Sequence, residues 1–469
     1  MNVPELQSYD PRTFAALTFH DAAARFRDAT DTPRAYLERC LENIAAREAV
    51  VRAFVTLNEA GARAAADAST ARWREGRPLS AIDGLPVAIK DLLETKDMPT
   101  QMGCEAYRGN FPKRDNAAVW ALRQAGAVLV GKTVTAELGG SHPGATTNPF
   151  DRARTPGGSS SGSAAAIAAR MVPAALGTQV GGSVIRPAGY CGNVALKPTM
   201  GGINRGERQT TSMSTTGVHA GCIEDMWQAA IEIARRAGGD PGRPGLFGPL
   251  APPAAKMPER LIVLETEGWA GLDAASKSAF EKLLESVSRA GVVLLRRSDH
   301  AWIEALEKAI ADGCDTCNAI TRWENRWYQS NLVEQYPDGV SARAKAVVRR
   351  AEAMSPDDYR ALLLKRAAAQ QCHAALAPLA DAVITLSCPG PAPLWSEDVP
   401  GQPLVPRPTG DFVFNAASSM LFAPAVTMPL LGVSGMPVGV QLMGQQHDDA
   451  RITGMARWML GALQPVVVP

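Results

Sequence analysis

The sequence predicts an α/β protein built on one large sheet with helices on its faces. Three observations carry this. Short apolar runs of strand length alternate with longer stretches of helical periodicity. A strand–helix–strand unit is legible between residues 261 and 295. The 469 residues, 46% of them hydrophobic, are ample for a large core.

In chain order, residues 1–75 read as a helical segment packed on the core. Leu37, Cys40, Leu41 and Ile44 recur there at i, i+3, i+4 and i+7, one apolar face. From residue 76 to 469 a single larger domain is expected. Val87-Ala88-Ile89 and Val128-Leu129-Val130 are short apolar runs flanked by turn or polar residues, as in buried strands. Residues 157–163 are too rich in glycine and serine for a regular element, and they lead into a helix-forming run at 164–170. Residues 238–257 read as a Gly/Pro-rich surface crossing. Leu261 to Leu264 is then a strand, Phe280, Leu283, Leu284 and Val287 a helix face, Gly291 a C-cap and Val292 to Leu295 a second strand. Residues 301–375 are mostly helical, and Ala382 to Leu386 is a strand before a Pro-rich loop at 389–408.

Composition removes several function classes. Lys+Arg 48 against Asp+Glu 47 leaves a net charge of +1, so no global field draws in nucleic acid or acidic membranes. No apolar run is long enough to span a bilayer. Met1 to Glu5 lacks the basic start of a signal peptide. Eight cysteines are too sparse for a disulfide scaffold. A soluble, cytoplasmic globular protein is expected.

Three motif matches fail on physical grounds. Gly126 to Thr133 spells a phosphate-binding loop, but its four central residues are Ala-Val-Leu-Val, a strand interior with no free amides to wrap a phosphate. Val87-Ala88-Ile89-Lys90 matches the kinase lysine strand without the other kinase motifs. Cys314 and Cys317 form a lone Cys-x-x-Cys pair without further ligands nearby, and read as two small residues on one helix face. The lysine still needs a reason, because a charge at the end of a buried strand is expensive unless paired or functional.

Two glycine/serine loops remain, Thr155 to Ser163 and Gly177 to Pro187. A loop, a helix of ordinary length and a return loop can bring Ser159 and Ser183 to the same end of a sheet. Glycines before Ser183 permit φ > 0 and let backbone N–H groups converge, an oxyanion hole from Val180, Gly181, Gly182 and Ser183. A serine nucleophile needs a base. The six histidines (His20, His142, His219, His300, His373 and His447) lie in unrelated contexts, whereas Lys90 at its strand end fits a Ser–Lys pair. Burial away from acids must then lower its pKa from about 10.4.

The run from Gly84 to Thr199 resembles the amidase signature family. It holds in order Gly-Leu-Pro-Val-Ala-Ile-Lys-Asp, Gly-Gly-Ser-Ser-Ser-Gly-Ser-Ala-Ala-Ala and Leu196-Lys197-Pro198-Thr199, and the likeness returns at Glu224-Asp225, Phe414-Asn415 and Met436 to Leu442. The resemblance implies a large mixed, mostly parallel central sheet covered by helices on both faces. It places a catalytic core at 84–230 and a variable pocket region at about 300–345. It further implies Ser183 as nucleophile, Ser159, on a cis peptide, as bridging serine, Lys90 as base and Ser160 in support. No cofactor and no metal are expected. The expected partner is a small-molecule amide, carbamate or ester, with no nucleic acid and no membrane, the chain acting as monomer or homodimer.

Two departures from the family pattern stand beside the nucleophile. Gln179 replaces the usual Asp, and Ile185 the usual Arg, with Arg186 one place later. The segment from Glu137 to Asn148 is shorter than its counterpart in the A subunit of glutamyl-tRNA amidotransferase. All three point toward stand-alone small-molecule amidases and away from that enzyme, whose A chain needs partner chains. A third reading takes Gly158-Ser159-Ser160-Ser161-Gly162 as the elbow of an α/β-hydrolase with Ser160 as nucleophile, but a polar, proline-ended stretch precedes it instead of a strand. Trp302, Trp323, Trp327 and Tyr328 are the candidate pocket aromatics, with helix packing as their other reading. Sequence does not choose among aryl amide, aliphatic amide and carbamate.

Overall fold

Apolar strands that bury both faces need two cores, and the described residues form two large ones. In the computed structural model, which describes residues 8–207 and 211–469, twelve strands form one sheet. They are β1 (Phe54–Leu57), β2 (Pro86–Lys90), β3 (Val128–Thr133), β4 (Ala174–Gln179), β5 (Val194–Lys197), β6 (Thr215–Ala220), β7 (Arg260–Val263), β8 (Val293–Leu295), β9 (Ala382–Leu386), β10 (Ala425–Val433), β11 (Met436–Met443) and β12 (Val466–Val468). The order is β1-β3-β2-β4-β6-β5-β10-β11-β9-β7-β8, with β12 beside β10. Met1 to Glu5, read above for a leader, lie outside the described residues.

Alternation along the strands separates the two cores. Val87 and Ile89 of β2, Leu129 of β3, and Ala174 and Leu176 of β4 join the larger cluster, with the helices Ala117–Gln124 and Ile223–Ala237. Ala88, Val128, Val130 and Ala175 face the other way, onto Leu37, Leu41 and Ile44 of the helix Pro33–Val51 and Ile167 of the helix Ser161–Ala168. Two-sided burial is why these strands read as unbroken apolar runs.

The sheet is mixed. Parallel pairs lie on the flanks (β3–β2–β4 and β9–β7–β8) and between β10 and β12, while the middle from β4 to β9 is antiparallel. Within this centre β10 and β11 form a tight hairpin, joined by Ser434-Gly435 alone.

Two local expectations change. The segment 1–75 is not only helical, because β1 pairs antiparallel with β3 at the sheet edge. The strand alternates half-buried and exposed positions, too short a pattern to stand out between two helices. The helix after the first glycine/serine loop starts earlier than composition suggests, at Ser161. Tertiary bonds hold its first turn. Ser161 Oγ donates to the Val134 carbonyl, and Ser163 Oγ donates to the Leu176 carbonyl and meets Thr133 Oγ1. Gly162 is required by approach, since a Cβ there would lie 2.2 Å from the Ala53 carbonyl oxygen. Cys314 and Cys317 are both buried, in the helix Gly313–Gln335.

Candidate active site

Parallel pairing of β2 with β4 sets the site's floor, because it brings Lys90 and Thr178 to the same end of the sheet. Lys90 is fully buried. Its Nζ lies 2.8 Å from Ser159 Oγ, 2.9 Å from Thr178 Oγ1 and 3.2 Å from the Thr178 carbonyl oxygen. Burial, then the nearby Arg186 guanidinium, holds the Lys90 ammonium well below the usual lysine range. The adjacent carboxylate does not offset this: Asp91 faces Lys132, whose Nζ is 3.0 Å from Asp91 Oδ1. A neutral lysine amine has two N–H donors and one lone pair. The two Thr178 oxygens match the donors, and the Ser159 hydroxyl matches the lone pair.

Ser159 follows a cis peptide from Gly158, and its carbonyl accepts the Ala136 amide. Arg186 Nη2 donates to the Gly158 carbonyl at 2.6 Å and to Thr409 Oγ1 at 3.1 Å. Ser160 is buried and joins the two loops. Its N–H donates to the Ser183 carbonyl, and its hydroxyl bonds the Thr178 backbone through both N–H and C=O. Ser159 and Ser183 both line a cavity of about 700 Å³, and Ser160 is not among its lining residues.

Val180, Gly181 and Gly182 line the same cavity beside Ser183. Among the described residues, the N–H groups of 180–183 meet no backbone acceptor, so they are available to an oxyanion. The reason for the two glycines differs from the expected one. Neither has positive φ. Instead, a Cβ on Gly181 would meet the Phe412 ring at 2.8 Å, and one on Gly182 would lie 2.7 Å from Asn415 Oδ1.

Gln179 explains one of the departures. Its Oε1 accepts the amides of Val184 and Ile185 at 2.9 and 3.0 Å, and its Nε2 donates to Ser419 Oγ at 3.2 Å. Ser419 Oγ in turn donates to the Gly181 carbonyl at 2.8 Å. A neutral amide thus ties the 180–183 loop to the start of the helix Ile185–Cys191 and adds no negative charge that would raise the Lys90 pKa. Gln179→Leu is expected to lower the urea midpoint by an amount equivalent to about 1–3 kcal/mol, because two buried amides lose their acceptor. An unchanged midpoint would remove Gln179 from the loop's support.

The aromatic expectations mostly fail. Trp302 and Trp327 are 47% and 77% exposed. Trp323 stacks on Tyr359 and lines a neighbouring hollow of about 410 Å³ with Arg205 and Glu324. Tyr328 alone of the four reaches the cavity, its hydroxyl 2.8 Å from that of Tyr107. The helix Gly313–Gln335 turns a polar face inward instead: Asn318, Thr321, Arg322, Asn325, Tyr328 and Gln329 line the cavity. Of these, sequence reading found Tyr328 alone, and it missed Thr178 as well. A signal was present in the i, i+3, i+4, i+7 spacing of polar residues, which elsewhere marks a solvated face.

Among the described residues, no group of three His, Cys, Asp or Glu is placed to hold a metal, and no helix is long and apolar enough to cross a membrane.

Comparison with known proteins places the chain in a family. The Amidase family model matches residues 35–453. The A subunit of a glutamyl-tRNA(Gln) amidotransferase from Anaeromyxobacter dehalogenans (strain 2CP-C) is 31% identical over 475 residues, covering 92% of this chain and 93% of that one. A solved structure described as an amidase superposes with a TM-score of 0.81 at 26% identity, covering 95% of this chain and all of the other. A 6-aminohexanoate cyclic dimer hydrolase, at 21% identity and a TM-score of 0.81 over 96% of this chain and 98% of its own, shares the fold. The chain belongs to the amidase family, the amidase-signature enzymes that act on carbon–nitrogen bonds.

Proposed function

We propose that this chain hydrolyses small-molecule amides through an acyl-enzyme on Ser183, with Ser159 relaying the proton to Lys90. The observation that carries the reading is the buried 2.8 Å contact between Lys90 Nζ and Ser159 Oγ, beneath the cavity that Ser159 and Ser183 share. Neutral Lys90 takes the Ser159 hydroxyl proton, and Ser159 takes that of Ser183 as its Oγ attacks the amide carbon. The oxyanion is met by amides of the 180–183 loop, each donor worth about 2.7–4 kcal/mol in comparable sites. When the intermediate collapses, the C–N bond breaks and the amine leaves with the proton returned through Ser159. Water then repeats the sequence on the acyl ester. Carbamates and esters pass through the same intermediates and belong to the same candidate range.

Ser159→Ala is expected to lose at least about a hundredfold in kcat, because the proton path is cut. Ser160→Ala is expected to lose roughly tenfold, through the Thr178 contacts alone. Steady-state rates on one amide, carbamate and ester panel check both, and equal losses for the two variants would contradict the roles.

A component of an amidotransferase is the second reading, favoured by the 31% identity to the A subunit of a glutamyl-tRNA(Gln) amidotransferase. Ammonia or amine release from simple amides by the purified chain alone supports the stand-alone enzyme. Activity that appears only with added partner chains supports the amidotransferase component.

A further inference from the structure

The cavity is one-sided in charge. Six arginines line it (Arg186, Arg205, Arg322, Arg343, Arg350 and Arg407), against a single carboxylate among the described residues, Glu137. Glu137 is already engaged, accepting from both the amide and the hydroxyl of Ser341. Three of the arginines are neutralised locally: Arg205 by Asp240, Arg343 by Asp398 through two contacts, and Arg407 by Asp411. Arg186 is spent on the Gly158 carbonyl and Thr409.

Arg322 and Arg350 are different. Among the described residues neither has a carboxylate within ion-pair distance, and Arg350 lies close enough for its charge to act on Arg322. Asp315, on the same helix as Arg322, acts on it only at longer range. The helices Gly313–Gln335 and Ala342–Glu352 that carry the two arginines pack side by side. Next to Arg322 on the inward face stand the amides of Asn318, Asn325 and Gln329. Two like charges held together in a partly enclosed space repel, and an anion between them relieves that repulsion. A guanidinium pair flanked by amide donors matches the planar oxygens of a carboxylate.

Resting on the amidase reading above, we propose that the preferred substrates are amides bearing a carboxylate, which Arg322 and Arg350 hold while the amide carbon meets Ser183. The arginines act as specificity-determining residues, and the excess positive charge steers such substrates inward.

The test measures ammonia release from the monoamides of succinic, glutaric and adipic acid, each against the linear alkanamide of equal chain length. At least one monoamide is expected to exceed its neutral partner tenfold or more in kcat/KM. That ratio is expected to fall at least tenfold in the Arg322→Gln/Arg350→Gln double variant, mainly through KM, and to shrink as salt is raised. A ratio near one in the wild type, or one retained in the double variant, overturns the proposal. If no amide, carbamate or ester is turned over, the Ser–Lys reading fails by itself and calorimetric titration with glutarate decides the arginine pair. Binding to the wild type that weakens at least tenfold in the double variant supports it; no binding, or equal binding, overturns it.

Discussion

Lys90→Met is expected to cut kcat/KM by about a thousandfold or more and to abolish the acidic limb of its pH profile. The wild-type limb should report one apparent pKa well below the ordinary lysine value of about 10.4. The sign follows from the role. A base must be neutral, so below that pKa Lys90 carries a proton, cannot accept one from Ser159, and the rate falls tenfold per pH unit. Burial and the Arg186 charge both move the limb toward neutrality, since each disfavours the ammonium. Methionine fills a similar volume without a charge or lone pair, so the variant should keep its denaturation midpoint and lose only chemistry. A pH–rate profile of the variant that still bends at the wild-type pKa would take Lys90 out of the mechanism. The size rests on general base catalysis, commonly worth 10²–10⁴ in rate.

Ser183→Ala should be at least as damaging, at roughly 10³-fold or more, because loss of a nucleophile removes the covalent route altogether. A fluorophosphonate probe should modify wild-type protein on Ser183, and the variant should lose both modification and turnover. Peptide mapping distinguishes this from the α/β-hydrolase reading, which needs the adduct on Ser160. The geometry disfavours that outcome. The Ser160 hydroxyl is buried and engaged with the Thr178 backbone, whereas Ser183 stands at the cavity wall beside four amides without a backbone acceptor among the described residues. An adduct on Ser160 would overturn the Ser183 assignment.

The sequence by itself determined five of the sheet's strands (β2, β3, β7, β8 and β9), the family resemblance and the two loops that the structure brings together. These signals are local. A strand buried on both faces must be apolar throughout, as Val87 to Ile89 and Val128 to Val130 are, and a glycine/serine loop locked before a helix is recognisable without its neighbours. A lysine ending such a strand stands out because an unpaired charge there is costly. Tertiary structure alone decided what those residues meet. Thr178 reaches Lys90 only because β2 and β4 pair in parallel, and Gln179 serves Val184, Ile185 and Ser419 only after the loop folds back. The need for Gly181 and Gly182 lies in Phe412 and Asn415, from a distant part of the chain, and not in a left-handed turn. The pocket shows the largest gap. Amphipathic reading assumes that a helix buries its apolar face and turns its polar face to water. Around a cavity that rule fails on the helix Gly313–Gln335, where Trp327 is 77% exposed while Arg322 and Asn325 face the site. Which way such a helix turns depends on what surrounds it, and that is settled by packing, not by periodicity.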